Sequence, residues 1–253
     1  LSPEAEPQDA PEPRRAGLGL TGGLVALGLS PLMLAQGLYL RRSVPTLPEP
    51  EGPRQGELGR GPELRVLIVG DSSAAGVGAE YQEQALSGQL TAALARDFRV
   101  SWLLAAQSGV TSKELTDQLQ VLTPQVWDVA LSVTGVNDAT SGCRPKAFLA
   151  RQKRLVTLLR HRFSVKRVVL SGLPPMHRFP SLPQPLRWYL GARAQALDAA
   201  LEHWAGLQPV CDYLPLDFDM AVEDMAEDGF HPGPRVYEQW GQAAAEVIKA
   251  RMA

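Results

Sequence analysis

Four short stretches of the chain hold residue types that acyl-transfer chemistry uses. In Gly70-Asp71-Ser72-Ser73-Ala74-Ala75-Gly76-Val77-Gly78 a serine sits among small residues directly after an apolar run. Small residues let the backbone turn sharply and leave a side chain exposed at the end of a strand, and a serine exposed there is a nucleophile if a base can reach it. A glycine-rich strand-to-helix turn or a phosphate loop has the same look. However, no Gly-Lys-Ser/Thr follows, and Tyr81 stands where a dinucleotide fingerprint needs its third glycine. The five-residue Gly-x-Ser-x-Gly elbow is not matched either, because Ala74 occupies its last position. Far along the chain, Asp228-Gly229-Phe230-His231-Pro232 puts a carboxylate three residues before an imidazole. On a turn, that spacing lets Asp228 fix the tautomer of His231 while the other ring nitrogen faces a serine.

The remaining two stretches supply neutral hydrogen-bond donors. Gly109, in Gln107-Ser108-Gly109-Val110-Thr111-Ser112, offers an unhindered N–H near a helix start, where donors lack intrahelical partners. Asn137, in Thr134-Gly135-Val136-Asn137-Asp138, carries a side-chain amide that can be aimed at a developing oxyanion. Alone, each is also compatible with an ordinary turn or helix cap. The other histidines lack such a setting: His161 sits in a basic helix end, His177 in a proline-rich loop and His203 on a helix. No His/Cys/Asp cluster has metal-ligand spacing, so no metal is expected.

The elements that must position these groups can be read from periodicity. Apolar runs at 64–70, 99–105, 127–135, 167–172 and 208–213 read as strands, and stretches at 82–96, 112–122, 145–162, 186–205 and 233–251 have helical spacing. Strands separated by helices predict a parallel sheet covered on both faces. Ligands of such sheets bind beyond the carboxyl ends of the strands, and three of the four stretches directly follow a strand.

Ahead of this domain, expected at 64–253, lie three segments. Residues 1–15 form a polar tail ending in Arg14-Arg15. Residues 16–40 carry no charge, and 25 residues exceed the roughly 20 that cross a hydrocarbon core. This run is expected to be a membrane anchor rather than a cleaved signal peptide, being longer than the usual apolar region of the latter. Two arginines flank each end, so charge does not set its orientation; the domain is expected on the extracytoplasmic, periplasmic side. Residues 41–63, rich in Pro, Gly and charge, read as a linker. The net charge of −2 lacks the basic footprint of a nucleic-acid binder. Cys143 and Cys211 are the only cysteines, and two unpaired thiols are expected.

Taken in order, Gly-Asp-Ser at 70–72, Ser-Gly at 108–109, Gly-x-Asn-Asp at 135–138 and Asp-x-x-His-Pro at 228–232 resemble the motifs of the SGNH (GDSL) hydrolase family. The resemblance covers about 64–250. It implies an α/β fold, a three-layer α/β/α sandwich with a flavodoxin-like parallel central sheet. It implies Ser72 as nucleophile, His231 as base and then acid, Asp228 as orienting carboxylate, and an oxyanion hole of Ser72 N–H, Gly109 N–H and the Asn137 amide. Many members have an asparagine shortly before the second-block glycine, where this chain reads Leu-Leu-Ala-Ala-Gln-Ser. The implied activity is ester hydrolysis through an acyl-Ser72 intermediate with no metal or cofactor, and a membrane anchor beside an apolar pocket favours a short-acyl or lipid-like ester. Acyl transfer to an alcohol and cleavage of a carbohydrate acetyl ester would use the same residues, and a membrane-tethered binding module is the non-catalytic alternative. Met176, Phe179 and Leu182 in the proline-rich stretch 173–190 are expected either to wall an acyl pocket or to pack that loop onto the domain.

Overall fold

The computed structural model describes residues 18–216 and 221–252, apart from the side chain of Leu20. The tail expected at 1–15 and the first two residues of the apolar run lie outside the described residues. In chain order the elements are α1 (Leu20–Ser43), β1 (Gln55–Leu58), β2 (Glu63–Gly70), α2 (Ser72–Ala75), α3 (Leu86–Leu94), β3 (Arg99–Ala106), α4 (Ser112–Leu119), β4 (Val129–Val133), α5 (Val136–Thr140), α6 (Pro145–Arg162), β5 (Arg167–Ser171), α7 (Leu186–Gly206), β6 (Cys211–Leu214) and α8 (Pro234–Met252).

The sheet runs β1-β3-β2-β4-β5-β6. Its five long-range neighbours β3-β2-β4-β5-β6 are parallel and follow the flavodoxin-like order. Alternation along β2 builds the two cores. Leu64, Val66 and Ile68 face a layer of α3 and α8, with Leu86, Leu90, Tyr237 and Trp240. Leu67 and Val69 face α4, α6 and α7, with Leu115, Leu155 and Leu197. Both faces are covered, which is why β2 reads as a continuous apolar run rather than an alternating one. Strand order reverses between β3 and β4 around β2, and the crevice there lies beside the loops that follow β2, β3 and β4.

Local sequence explains several element ends. Asp71 N-caps α2 by accepting from the Ser73 N–H. Thr111 and Glu114 close a capping box on α4. Pro145 begins α6, and Arg160, His161 and Arg162 end it beside the negative end of its dipole. Cys143 and Cys211 are buried and unpaired, and burial pushes the Cys211 thiol up to about 11.

The stretch expected to be a linker is structured in its second half. β1 pairs antiparallel with β3 through Gln55↔Leu103 to Leu58↔Val100, the Leu104 N–H donates to the Arg54 carbonyl at 2.7 Å, and the Gln82 N–H donates to the Glu51 carbonyl at 2.8 Å. All four β1 residues are exposed. An edge strand held by backbone pairing needs no apolar pattern, so its sequence looks like a linker.

Candidate active site

Ser72 opens the first turn after β2, and His231 and Asp228 lie on the loop before α8. That loop is a tight reversal: Met225 and Pro232 bridge antiparallel, and the Ala226 N–H donates to the His231 carbonyl at 2.8 Å. Its position is fixed against the serine turn. Gly78 has φ +103°, and a Cβ there would lie 2.2 Å from the Pro232 carbonyl, so only glycine lets the two loops touch. The buried Tyr237 hydroxyl donates to the Val77 carbonyl at 2.6 Å and ties α8 to the same turn.

These loops bring together three side chains far apart in sequence. Ser72 Oγ lies 3.0 Å from His231 Nε2, and His231 Nδ1 lies 2.5 Å from Asp228 Oδ2. Asp228 is 5% exposed. Its second oxygen, Oδ1, accepts the Phe230 and His231 backbone N–H groups, each at 2.9 Å. Burial pushes the Asp228 carboxyl upward, but the hydrogen bonds from the His231 ring and from the two N–H groups outweigh it, holding the group below the ordinary carboxylate value. An ionised carboxylate on Nδ1 leaves Nε2 as the acceptor for the serine proton, the arrangement that makes a hydroxyl nucleophilic.

Gly109 and Asn137 line the same cavity as Ser72, Asp228 and His231. Gly109 adopts φ +81° with open space where a side chain would stand. Asn137 Nδ2 donates to the Val110 carbonyl at 3.0 Å, tying the loop after β4 to the loop after β3. Asp138, wholly buried, accepts from the Ser112 N–H and Oγ, each at 2.9 Å, and from Arg151 at 2.6 Å. Both members of the Asn-Asp pair thus tie neighbouring segments together, and Asn137 also lines the cavity.

Residues with no sequence signal complete the site. Glu49, from the stretch expected to be a linker, accepts the Ser108 N–H and the Ser108 hydroxyl, each at 2.8 Å, directly beside Gly109. Arg54 donates to the other Glu49 oxygen at 2.7 Å and to the Ala106 carbonyl. In a chain lacking the asparagine expected before Gly109, Glu49 anchors this loop from outside it. Burial raises the Glu49 carboxyl, but the Ser108 and Arg54 hydrogen bonds prevail and hold it below its ordinary value.

Of the three residues expected around an acyl pocket, only Leu182 lines the cavity. Met176 and Phe179 are buried in the core instead. Phe179 meets Phe230 edge-to-face at 5.1 Å and so supports a residue that does line the cavity. The proline-rich stretch also braces the histidine loop through Ser181 Oγ, which donates to the Gly229 carbonyl at 2.8 Å. The cavity, about 1070 Å³, takes most of its remaining lining from α7, α1 and the segment 44–47 that follows α1.

A flavodoxin-like sheet covered by helices on both faces, with Ser72 after β2 and Asp228 and His231 on the loop before α8, has the architecture of the SGNH hydrolase fold. Residues 68–239 match the GDSL-like lipase/acylhydrolase family, and the chain belongs to it. It is therefore an ester-hydrolysing enzyme. Similar solved structures include a member of the lipolytic G-D-S-L family from Veillonella parvula, 13% identical over 74% of this chain and 98% of that one, with a TM-score of 0.59. An inhibitor-bound aryl esterase from M. smegmatis is 18% identical, over 74% and 99%, with a TM-score of 0.58. A carbohydrate acetylesterase family member from Sinorhizobium meliloti is 18% identical, over 74% and 98%, with a TM-score of 0.53. At these identities the likeness is one of fold. No curated protein matches the sequence.

Proposed function

We propose that the protein is a membrane-associated serine esterase that cleaves a carboxylic ester through an acyl-Ser72 intermediate. The observation that carries this is the continuous hydrogen-bonded chain from Ser72 Oγ through the His231 ring to the buried Asp228 carboxylate. Ser72 Oγ attacks the ester carbonyl carbon as its proton passes to His231 Nε2. The carbonyl oxygen becomes an oxyanion and accepts hydrogen bonds from the Ser72 and Gly109 N–H groups and the Asn137 amide. As the tetrahedral adduct collapses, the bond to the alcohol oxygen breaks and His231 returns its proton to the leaving alcohol. Water, deprotonated by His231, then attacks the acyl carbon; the bond to Ser72 Oγ breaks, the acid leaves, and His231 returns the proton to Ser72 Oγ. Throughout, Asp228 remains ionised and holds the imidazole ring.

The test is hydrolysis of p-nitrophenyl butyrate by the full chain beside its Ser72→Ala variant. Release of nitrophenol that disappears in the variant supports the proposal. Equal activity in both proteins would remove Ser72 from the chemistry.

A further inference from the structure

Helix α1 forms part of the catalytic cavity. Ala26, Leu29, Met33, Gln36 and Leu40, spaced at intervals of three and four, make one stripe along the helix that is buried or half-buried against the domain. Ala26 and Met33 join the core that contains Leu182, Leu186 and Leu190. Gln36 supplies the polar tie: its amide donates to the Gln184 carbonyl at 2.6 Å and accepts the Leu186 N–H at 3.2 Å, at the start of α7. Contact along the stripe means that the helix lies on the domain rather than projecting from it.

Next to the stripe, the helix face lining the cavity is both apolar and open. Leu27, Leu34 and Leu38 line the cavity that holds Ser72 and His231, yet they are 71%, 65% and 49% exposed. They form an apolar rim that continues onto an outer face carrying Leu24, Leu32 and Tyr39. A helix apolar all round must have each face covered by protein or by lipid. One face of α1 is covered by the domain. The other has the composition of a membrane-facing surface over a length of about 36 Å, and its apolar window has a mean hydropathy of 1.5.

We propose that α1 lies in the membrane–water interface as one wall of the acyl-binding groove, so that the enzyme draws a long-chain acyl ester from the bilayer with its chain running between α1 and α7. This substrate assignment rests on the esterase reading of Ser72. Three observations favour a long acyl chain in a bilayer. The cavity of about 1070 Å³ is at the upper end of the roughly 300–1,000 Å³ usual for small ligands, far more than an acetyl group needs. Its lining between α1 and α7 is mainly apolar, with Ser30, Arg41 and Arg193 the polar exceptions. Its rim is continuous with the surface that faces lipid, so an acyl chain passes from bilayer to serine without crossing water.

Gly37 provides the test. It lines the groove, and a Cβ added there meets nothing within 4 Å, so a substitution leaves the helix backbone undisturbed and a phenyl ring intrudes into the groove. The full chain in phosphatidylcholine vesicles is assayed on p-nitrophenyl decanoate and p-nitrophenyl butyrate as wild type, Gly37→Phe and Leu24→Phe, the last altering the outer face only. In Gly37→Phe the decanoate-to-butyrate ratio of kcat/KM should fall at least tenfold, and in Leu24→Phe it should stay within twofold. Hydrolysis of both esters with a ratio unmoved by Gly37→Phe, in a variant that melts like wild type, would overturn the groove alone. Hydrolysis of neither ester by folded wild type would overturn the esterase reading and the groove with it. The wild type should also float with phosphatidylcholine vesicles in a density gradient; remaining at the bottom would overturn the bilayer as the source.

Discussion

On the sheet side of the cavity, both oxygens of Asp228 are engaged, the His231 ring is held from both nitrogens, and Gly78 lets the serine and histidine loops meet at backbone distance. On the opposite side, α1 meets the domain through an apolar stripe and one glutamine, and Leu24 is 72% exposed. The first wall is directional: hydrogen bonds fix atoms to within a fraction of an ångström, as proton transfer requires. The second is non-directional, as is suited to an acyl chain whose carbons need only be kept from water. Changes to the first wall should therefore act on kcat, and changes to the second on chain-length preference and docking.

The largest effect is expected at His231. His231→Ala removes the base and should lower kcat at least about 1,000-fold with little change in KM; unchanged kcat in stopped-assay kinetics would remove it from the mechanism. Asn137→Ala should lower kcat about 100-fold, the scale of losing one oxyanion donor, and a variant that altered only KM would make Asn137 a binding residue. Glu49→Ala tests whether the first wall extends into the N-terminal segment. Freeing the Ser108–Gly109 loop should lower kcat about 10-fold by misplacing a donor, and Glu49→Gln, which keeps one acceptor oxygen, should recover part of the loss. If the two variants behave alike, Glu49 is not a positioning residue.

Next in size is a stability effect beneath the serine. Asp71 is buried and its carboxyl is pushed up to about 7, chiefly by burial, with the Ser73 N–H opposing. A raised carboxyl means that the folded state holds a proton the unfolded state has already lost, so stability falls as pH rises from about 4 to about 7. Asp228 has the opposite sign: its contribution is present above the unfolded value and is lost as acid protonates it. Asp71→Asn should therefore flatten the decline in melting temperature over that range, and an unchanged profile by calorimetry would contradict the burial account. The smallest effect belongs to the second wall. Gln36→Ala should lower stability by about 1 kcal/mol or less, read by thermal melting of the full chain.

The sequence made some of this legible and concealed the rest for identifiable reasons. Ser72, Gly109, Asn137, Asp228 and His231, which the structure gathers around one cavity, stood out as candidates because acyl-transfer chemistry restricts residue type and the fold favours the ends of strands and the start of α8. Helices α6, α7 and α8 fell within a residue of expectation because each is long enough to display its apolar face. One-turn α2 and α5 are too short for a period, and β1 is paired through its backbone alone. The bond from Glu49 to Ser108 spans 59 residues and leaves no local pattern. Met176 and Phe179 looked like pocket residues because an aromatic or thioether side chain under a loop has the same sequence signature as one beside a cavity. The apolar run at 16–40 was legible as a helix long enough to cross a membrane, but its stripe against the domain depends on which residues of α7 it meets, and those lie about 150 positions away.

The most direct measurement is mass spectrometry of the full chain after reaction with an alkyl fluorophosphonate, which esterifies an activated serine and stops there. A single adduct is predicted on the peptide carrying Ser72, absent from His231→Ala. An adduct on Ser73 or Ser108 instead, or none on a folded protein, would contradict the assignment of Ser72 as the nucleophile.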